Sequence, residues 1–278
     1  MGDPVGAPEE RSELVWRFRE ICDRHDGWPV FYEVGTQSLP LYLDLGLSLV
    51  KLGEEARVPL AQFSLEGGER KSLRQSVRKL EREGCSFEWL EPAQVPPLIP
   101  QLKAVSDAWL SDKKVREKRF SLGRFDAPYL ARFPFGVAYR NGRMIAFSNI
   151  RAAAGAEELS PDLMRFVSDA PNGTMDFLFV HLMLAGKNRG FRWFNLGMAP
   201  LSGLEHRPLA PLWTKVGAFV YRHGENFYNF QGLRAYKQKF DPHWSPKYLA
   251  SPGGLALPVM LTNVASLISG NLKGVFAR

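Results

Sequence analysis

SPDLMRF at 160–166, MDFLFVHLMLAGKNRGFRWFNLGMAPLSGL at 175–204 and NFQGLRAYKQKFDPHWSPKYLA at 229–250 decide the fold. The first reads as a strand, Asp162–Val167, with two charges, Asp162 and Arg165, set in an apolar run. The second opens with a long apolar helix, Met175–Asn188, which Gly190 stops. It continues into a strand at Arg192–Leu196. The third predicts a short cationic helix at Leu233–Lys239 and a last strand at Tyr248–Ala250. Upstream, Phe135–Arg140 and Met144–Ile150 flank Asn141-Gly142, a dipeptide suited to the two left-handed positions of a tight hairpin.

Hairpin, strand, helix and strand in that order predict an α+β fold of the acetyltransferase type (GNAT-type), with mixed, mostly antiparallel sheets flanked by helices. The first half reads as a second, truncated copy, which makes a tandem. It holds an amphipathic helix at Pro8–Arg24 carrying Leu14, Val15, Phe18 and Ile21, a strand at Val30–Val34 and a helix over Leu39–Leu47. SLVKLGE and ARVPL predict two short strands around a turn at Gly53-Glu54-Glu55. A helix over Ser64–Gly84 has Leu73, Val77 and Leu80 as its apolar stripe, and SFEWL follows as a strand. Pro92, Pro96, Pro97 and Pro100 mark a junction before a helix at Pro97–Ser111. The expected division is 1–92, 93–254 and a tail at 255–278. A helix over Leu209–Arg222 and a strand near Phe227–Phe230 complete the reading.

The 278 residues are 45% apolar and 23% charged, which excludes global disorder. A net charge of +7 and a pI near 9.4 favour a polyanionic partner, nucleic acid or an anionic membrane, with plain solubility as the bland alternative. Two distant cysteines give no disulfide framework, and five scattered histidines give no ligand spacing, so neither a disulfide nor a metal is expected. No apolar run reaches the roughly 20 residues of a membrane span. The start, MGDPVGAPEERSE, has neither the basic nor the apolar part of a leader, and the chain reads as a piece of a longer protein.

Four basic or mixed-charge groups are candidate sites. Arg70, Arg74, Arg78 and Arg82 are four apart and predict one cationic helix ridge, which a phosphate backbone rewards through counterion release. The alternative is a solvated face. KKVREKR at 113–119 encloses Glu117, which can orient a substrate ammonium or merely pair with Arg116 or Lys118. Asp162 and Arg165, three apart on a strand, point to opposite faces by simple alternation. Unpaired buried charges are costly, so they serve either a site or a structural ion pair. In GLRAYKQKF at 232–240, Arg234, Lys237 and Lys239 suit a phosphate if Gly232 opens the helix, and an ordinary surface helix otherwise. The junction DAPNGTMD, before the long helix, carries one glycine and two acids. That opposes a pyrophosphate, so the expected acyl donor is not acyl-coenzyme A, and no cofactor is expected. The segment LPVMLTNVASLISGNLKGVF is moderately amphipathic and suits either a membrane surface or packing on the body.

FSLEG at 63–67, FSLG at 120–123, DLMR at 162–165, FNLGMAPLSGL at 194–204, QGLRAYKQKF at 231–240 and PHWSPKYLA at 242–250 resemble one family over most of the chain. It is the catalytic domain of the aminoacyl-phosphatidylglycerol synthases, the multiple peptide resistance factors of bacteria. The resemblance implies two acetyltransferase-like domains around a tunnel. It implies transfer of alanine or lysine from aminoacyl-tRNA to the glycerol hydroxyl of phosphatidylglycerol, which lowers membrane charge and gives resistance to cationic antimicrobial peptides. It places the domain at the cytoplasmic face of the inner membrane, attached to an N-terminal membrane domain. Lys51, Glu54, Glu117, Asp162, Arg165 and Lys237 match functionally important polar positions of the family. Gly68-Glu69 stand where the family often has two lysines, and Ala185 where it often has tryptophan. Transfer to a peptide or peptidoglycan amine, or a non-catalytic tRNA-binding module, are the alternatives.

Overall fold

The computed structural model describes residues 1–113, 117, 120, 123–204 and 230–269. The expected helix at 209–222 and residues 227–229 of the expected strand lie outside these. The chain forms two compact units. One joins Met1–Arg57 to Gly197–Ala265, and the other is Val58–Leu196 with the residues from Ser266. The proline-marked junction at 92–100 therefore lies inside the second unit.

The first unit begins with α1 (Arg11–Arg24), β1 (Phe31–Gly35), α2 (Leu39–Asp44) and the first ten residues of β2 (Ser48–Pro59). Of the apolar residues expected to line α1, Val15 alone is buried. Val15 joins Val34, Tyr42, Leu45, Leu47 and Ala250 in a small core. From the other part of the chain come α7 (Phe230–Gln238), β8 (His243–Ser251) and most of α8 (Leu257–Ser269). β8 is antiparallel to β1 on one side and β2 on the other. Both ladders carry a bulge, between Tyr32 and Val34 on β1 and between Lys51 and Gly53 on β2.

β2 corrects the sequence reading, because it is one continuous strand and not two around a turn. Gly53 is needed there for close approach: a Cβ would sit 2.3 Å from the Ala199 carbonyl oxygen. α7 begins at Phe230, so Gly232 lies within the helix and does not open it, and Phe230 is helical, not extended.

The second unit follows the predicted order. α3 (Lys71–Arg82) buries Leu73, Val77 and Leu80, starts seven residues later than expected, and ends before Gly84 at φ 81°. Next come β3 (Cys85–Leu90), α4 (Ile99–Lys113) and α5 (Ala127–Leu130). β4 (Phe135–Arg140) and β5 (Arg143–Ala152) form the hairpin, with Asn141 at φ 50° and Gly142 at φ 79° as its turn demands. β6 (Glu158–Phe166), α6 (Thr174–Asn188) and β7 (Trp193–Pro200) complete the unit, β7 passing into the other unit after Leu196. β3 to β6 pair antiparallel in sequence order, and β7 joins β6 in parallel. This α+β arrangement is that of the acetyltransferase type. α6 is buried along most of its length, with Phe177, Val180, Leu182 and Met183 in the core. A side chain at Gly136 would strike Leu182, so β4 meets α6 closely at that point.

Candidate active site

In the second unit the DLMR segment forms the densest polar cluster around β6. The β5–β6 register shifts between Ser148 and Ile150: Ser148 pairs with Met164, and Ile150 with Pro161. β6 thus carries one extra residue, and the two-residue alternation fails there. Asn149 fills the break. Its Oδ1 accepts the Leu163 N–H at 2.7 Å, and its Nδ2 donates to Asp162 Oδ2 at 3.3 Å. Asp162 also accepts from the Tyr129 hydroxyl at 3.3 Å and pairs with Arg151 at 3.0 Å. Its side chain is only 5% exposed.

Arg165 is equally enclosed. Its guanidinium donates to Glu117 Oε2 at 3.1 Å and lies 4.1 Å from the centre of the Trp109 ring. Burial pulls its pKa below the ordinary value, and Glu117 pulls it back up. Its Nε is buried without an acceptor among the described residues. Glu117 Oε1 accepts the Phe125 N–H at 3.3 Å. Gly123 abuts Asp162, where a Cβ would meet the carboxylate at 2.7–2.9 Å. Asp162 and Arg165 therefore both reach the segment around 117–126, and the expectation that they point to opposite faces is corrected by the bulge. Arg116 and Lys118, the local partners considered for Glu117, lie outside the described residues.

In the first unit β2 repeats this device. The bulge between Lys51 and Gly53 lets Lys51 Nζ reach Glu54 Oε1 at 3.2 Å, although the residues are three apart. Lys51 also donates to the Gly203 carbonyl at 2.7 Å. Glu54 Oε2 accepts from Arg234, whose guanidinium stacks 4.1 Å above Trp244. Arg234 is thus held by a carboxylate and an aromatic ring.

Lys237, one turn further along α7, is 6% exposed. Its Nζ donates to the carbonyls of Gly197 at 3.0 Å and Met198 at 2.8 Å. An ammonium has three protons, so one remains without a protein acceptor among the described residues. Burial pulls its pKa down to about 8, against the opposing pull of Glu33 and Glu55. Glu55 pairs with Lys247 at 3.2 Å. Lys239 is exposed and lies 4.8 Å from the Tyr236 ring.

The cationic ridge is only partly a ridge. Arg70 precedes α3 and lies 5.6 Å from the Phe63 ring. Arg74 folds back to donate to the carbonyls of Leu65 and Gly67, which pins the FSLEG loop. Arg78 and Arg82 are exposed, and Lys71 lies on the same stripe about two turns before Arg78. Sequence reasoning missed Tyr129, Asn149, Arg151 and Trp109 around DLMR, and Glu33, Glu55 and Lys247 around Lys237. Each meets its partner through tertiary structure.

A phosphatidylglycerol lysyltransferase of Bacillus subtilis (strain 168) is 37% identical over 277 residues, covering 98% of this chain and 32% of that protein. One of Staphylococcus aureus (strain MRSA252) is 36% identical over 250 residues, 90% of this chain and 30% of that protein. The chain thus spans about a third of the length of these relatives. A crystal structure of the C-terminal domain of a putative lysylphosphatidylglycerol synthetase from Agrobacterium fabrum superimposes with a TM-score of 0.86 at 42% identity, over 97% of this chain and 82% of that one. L-PGS from Bacillus licheniformis gives 0.86 at 36% identity, over 98% and 82%. FemX, at a TM-score of 0.58 and 9% identity, shares the fold alone. The model of the family described as phosphatidylglycerol lysyltransferase, C-terminal, matches residues 1–251, and the chain belongs to that family.

Proposed function

We propose that this chain transfers an aminoacyl group, lysyl or alanyl, from aminoacyl-tRNA to the glycerol hydroxyl of phosphatidylglycerol. One observation carries the reading: Asp162 and Arg165 of DLMR are both buried and both engaged by charged partners on a bulged strand. Two buried charges with dedicated partners fit a binding constellation better than an incidental ion pair.

The reaction is a transesterification. The glycerol oxygen attacks the ester carbonyl carbon, a C–O bond forms, and a tetrahedral oxyanion results. The bond to the ribose oxygen then breaks. The proton leaving the glycerol hydroxyl is matched by one delivered to the ribose oxygen. Asp162 is the acceptor for the α-ammonium of the aminoacyl ester, or the base, and Glu117 fixes Arg165. Arg165 and Lys51 serve phosphate oxygens. The spare N–H of Lys237, on the first unit, suits an anionic oxygen of a substrate. Glu54 and Tyr129 hold Lys51, Arg234 and Asp162 in place. Arg78 and Arg82 offer the exposed charge for tRNA phosphate. In the full-length protein the domain works at the cytoplasmic face of the inner membrane, beside an N-terminal membrane part. There the product lowers surface charge and protects against cationic peptides.

The test is direct. The protein is incubated with phosphatidylglycerol vesicles and tRNA charged with labelled lysine or alanine. Label in the lipid fraction from one charged tRNA supports the reading and names the amino acid. No label from either sinks it, and so does label that Asp162→Ala leaves at the wild-type rate.

A further inference from the structure

The carboxylates around DLMR are matched one to one by arginines. Asp162 pairs with Arg151 at 3.0 Å, Glu117 with Arg165 at 3.1 Å and Asp126 with Arg124 at 3.2 Å. These pairs leave no net charge on the cluster before a substrate arrives. Arg151 is the unusual member. Its side chain is 48% exposed, whereas that of its partner is 5% exposed. The bulge puts the extra residue on β6, so β5 alternates regularly and sends Asn149 and Arg151 to one face. Both reach Asp162. Of the side chains that hold this carboxylate, Asn149 is buried, Tyr129 is half-buried and Arg151 alone is exposed.

Arg151 is also held in place. Its Nε and Nη2 donate to the Tyr129 hydroxyl at 3.2 and 3.0 Å, and Tyr129 donates in turn to Asp162 Oδ2 at 3.3 Å. One rigid guanidinium fork thus spans the tyrosine and the acid. Asp162 is still able to accept more. A carboxylate offers about four acceptor positions, and Arg151, Tyr129 and Asn149 take three. An arriving α-ammonium fills the last and leaves the cluster with one surplus positive charge. A second ammonium, on the aminoacyl side chain, finds each of the three carboxylates already paired. The four-carbon stem of lysine keeps that charge within about 8 Å of the α-ammonium, no more than a Debye length. It therefore feels the Arg151 guanidinium unscreened.

We propose that Arg151 is a specificity-determining residue: as a resident cation on the solvent side of Asp162, it selects aminoacyl groups with an uncharged side chain over those with a second ammonium. The inference rests on the reading of Asp162 as the acceptor of the α-ammonium. Selection is by repulsion, which rejects the wrong substrate without any contact to the right one. Of the two donors considered for this chain, it favours alanyl over lysyl.

The experiment measures selection without relying on transfer. Alaninamide and lysinamide stand in for the aminoacyl ester, and NMR titration gives their dissociation constants at about pH 6, where every amine is protonated. The wild type should bind alaninamide about ten-fold more tightly than lysinamide, the size of effect one like charge exerts at this range in a partly desolvated site. In Arg151→Gln the ratio should fall to within about two-fold, and both amides should bind more tightly because Asp162 has lost its resident cation. Arg151→Lys keeps the charge and should keep a ratio of at least about five. Asp162→Asn should bind neither amide. With charged tRNA, the kcat/KM for lysyl relative to alanyl transfer should rise about ten-fold in Arg151→Gln. A wild type that binds the two amides within two-fold overturns the proposal, as does a ratio that Arg151→Gln leaves unchanged. Transfer to lipid that continues in either case leaves the functional reading standing. Binding of neither amide, or binding that Asp162→Asn does not weaken, overturns the proposal as well. A ten-fold ratio that collapses in Arg151→Gln, in a protein that transfers nothing to lipid, supports the selection and places the failure in the functional reading.

Discussion

Arg165 and Glu117, 48 residues apart in sequence, close a salt bridge of 3.1 Å whose arginine is 10% exposed and whose glutamate is 27% exposed. The second oxygen of Glu117 holds the Phe125 amide, so one carboxylate ties the DLMR strand to the segment that also covers Asp162. Glu117→Gln keeps the shape and removes the charge. It leaves a buried guanidinium over Trp109 without its counter-charge. The expected cost is about 2 kcal/mol, below the usual range for a fully buried pair because Glu117 is partly exposed. Urea denaturation measures it, and transfer to lipid should fall at least ten-fold. An unchanged urea midpoint would show that the bridge is solvated and idle.

Gly123 provides a separate test of Asp162. A methyl at Gly123 would fall within 2.9 Å of all three carboxyl atoms, while Tyr129, Asn149 and Arg151 fix the carboxylate from other sides. Asp162 has a short side chain and cannot yield without losing a partner. Gly123→Ala should therefore lower transfer roughly a hundred-fold while costing about 1 kcal/mol in stability. Gly142→Ala is the contrast. It has open space around it but a φ of 79°, so it should cost about 1 kcal/mol and leave transfer intact. Equal losses of transfer in the two variants would remove Asp162 from the site.

These two residues also mark where the sequence could be read and where it could not. The hairpin at Asn141-Gly142, the apolar helix α6 and the order of strands around it followed from local chemistry. The side-chain pairings did not. DLMR and KLGE both place charges three apart on a strand, which simple alternation sends to opposite faces. Both strands are bulged, and the bulges bring Lys51 to Glu54, and Asp162 and Arg165 to one connecting segment. A bulge is set by pairing with a distant strand, so nothing in the four letters reveals it. Gly53 shows the same limit: its lack of a side chain serves a crossing backbone and not a turn. The arginine spacing of α3 was legible, but Arg74 is spent on the loop before it.

Lys237 should set an alkaline limit on the proposed transfer. With its pKa near 8, the ammonium is lost as pH rises through that value, and transfer should fall along a single-proton curve with that midpoint. The stability consequence has the opposite sign. Unfolded lysine keeps its proton to about 10.4, so between about 8 and 10 the unfolded chain binds more protons than the native one. Stability relative to Lys237→Met should therefore rise with pH across that window, by up to about 3 kcal/mol. Paired urea titrations at pH 7 and pH 10 measure it. A difference that is constant with pH would mean that Lys237 ionises as an ordinary exposed lysine.

The arginines of α3 divide into two groups by exposure, and salt should separate them. Arg78 and Arg82 are exposed on the stripe that also holds Lys71, and Arg82 Nε donates to the Arg78 carbonyl at 3.2 Å, which keeps its charge near the helix surface. Arg74 instead satisfies the carbonyls of Leu65 and Gly67. If tRNA phosphate meets this face, Arg78→Gln with Arg82→Gln should weaken binding of charged tRNA and lower the slope of log K against log salt by about two, one for each lost contact. Stability should stay within about 0.5 kcal/mol, since both side chains are at the surface. Arg74→Gln should do the reverse. It should destabilise the FSLEG loop by about 1–2 kcal/mol through two unsatisfied carbonyls and move the salt slope little. A double variant whose tRNA affinity and salt slope both match the wild type would take the nucleic acid away from α3, and the +7 charge of the chain would then need another face to explain it.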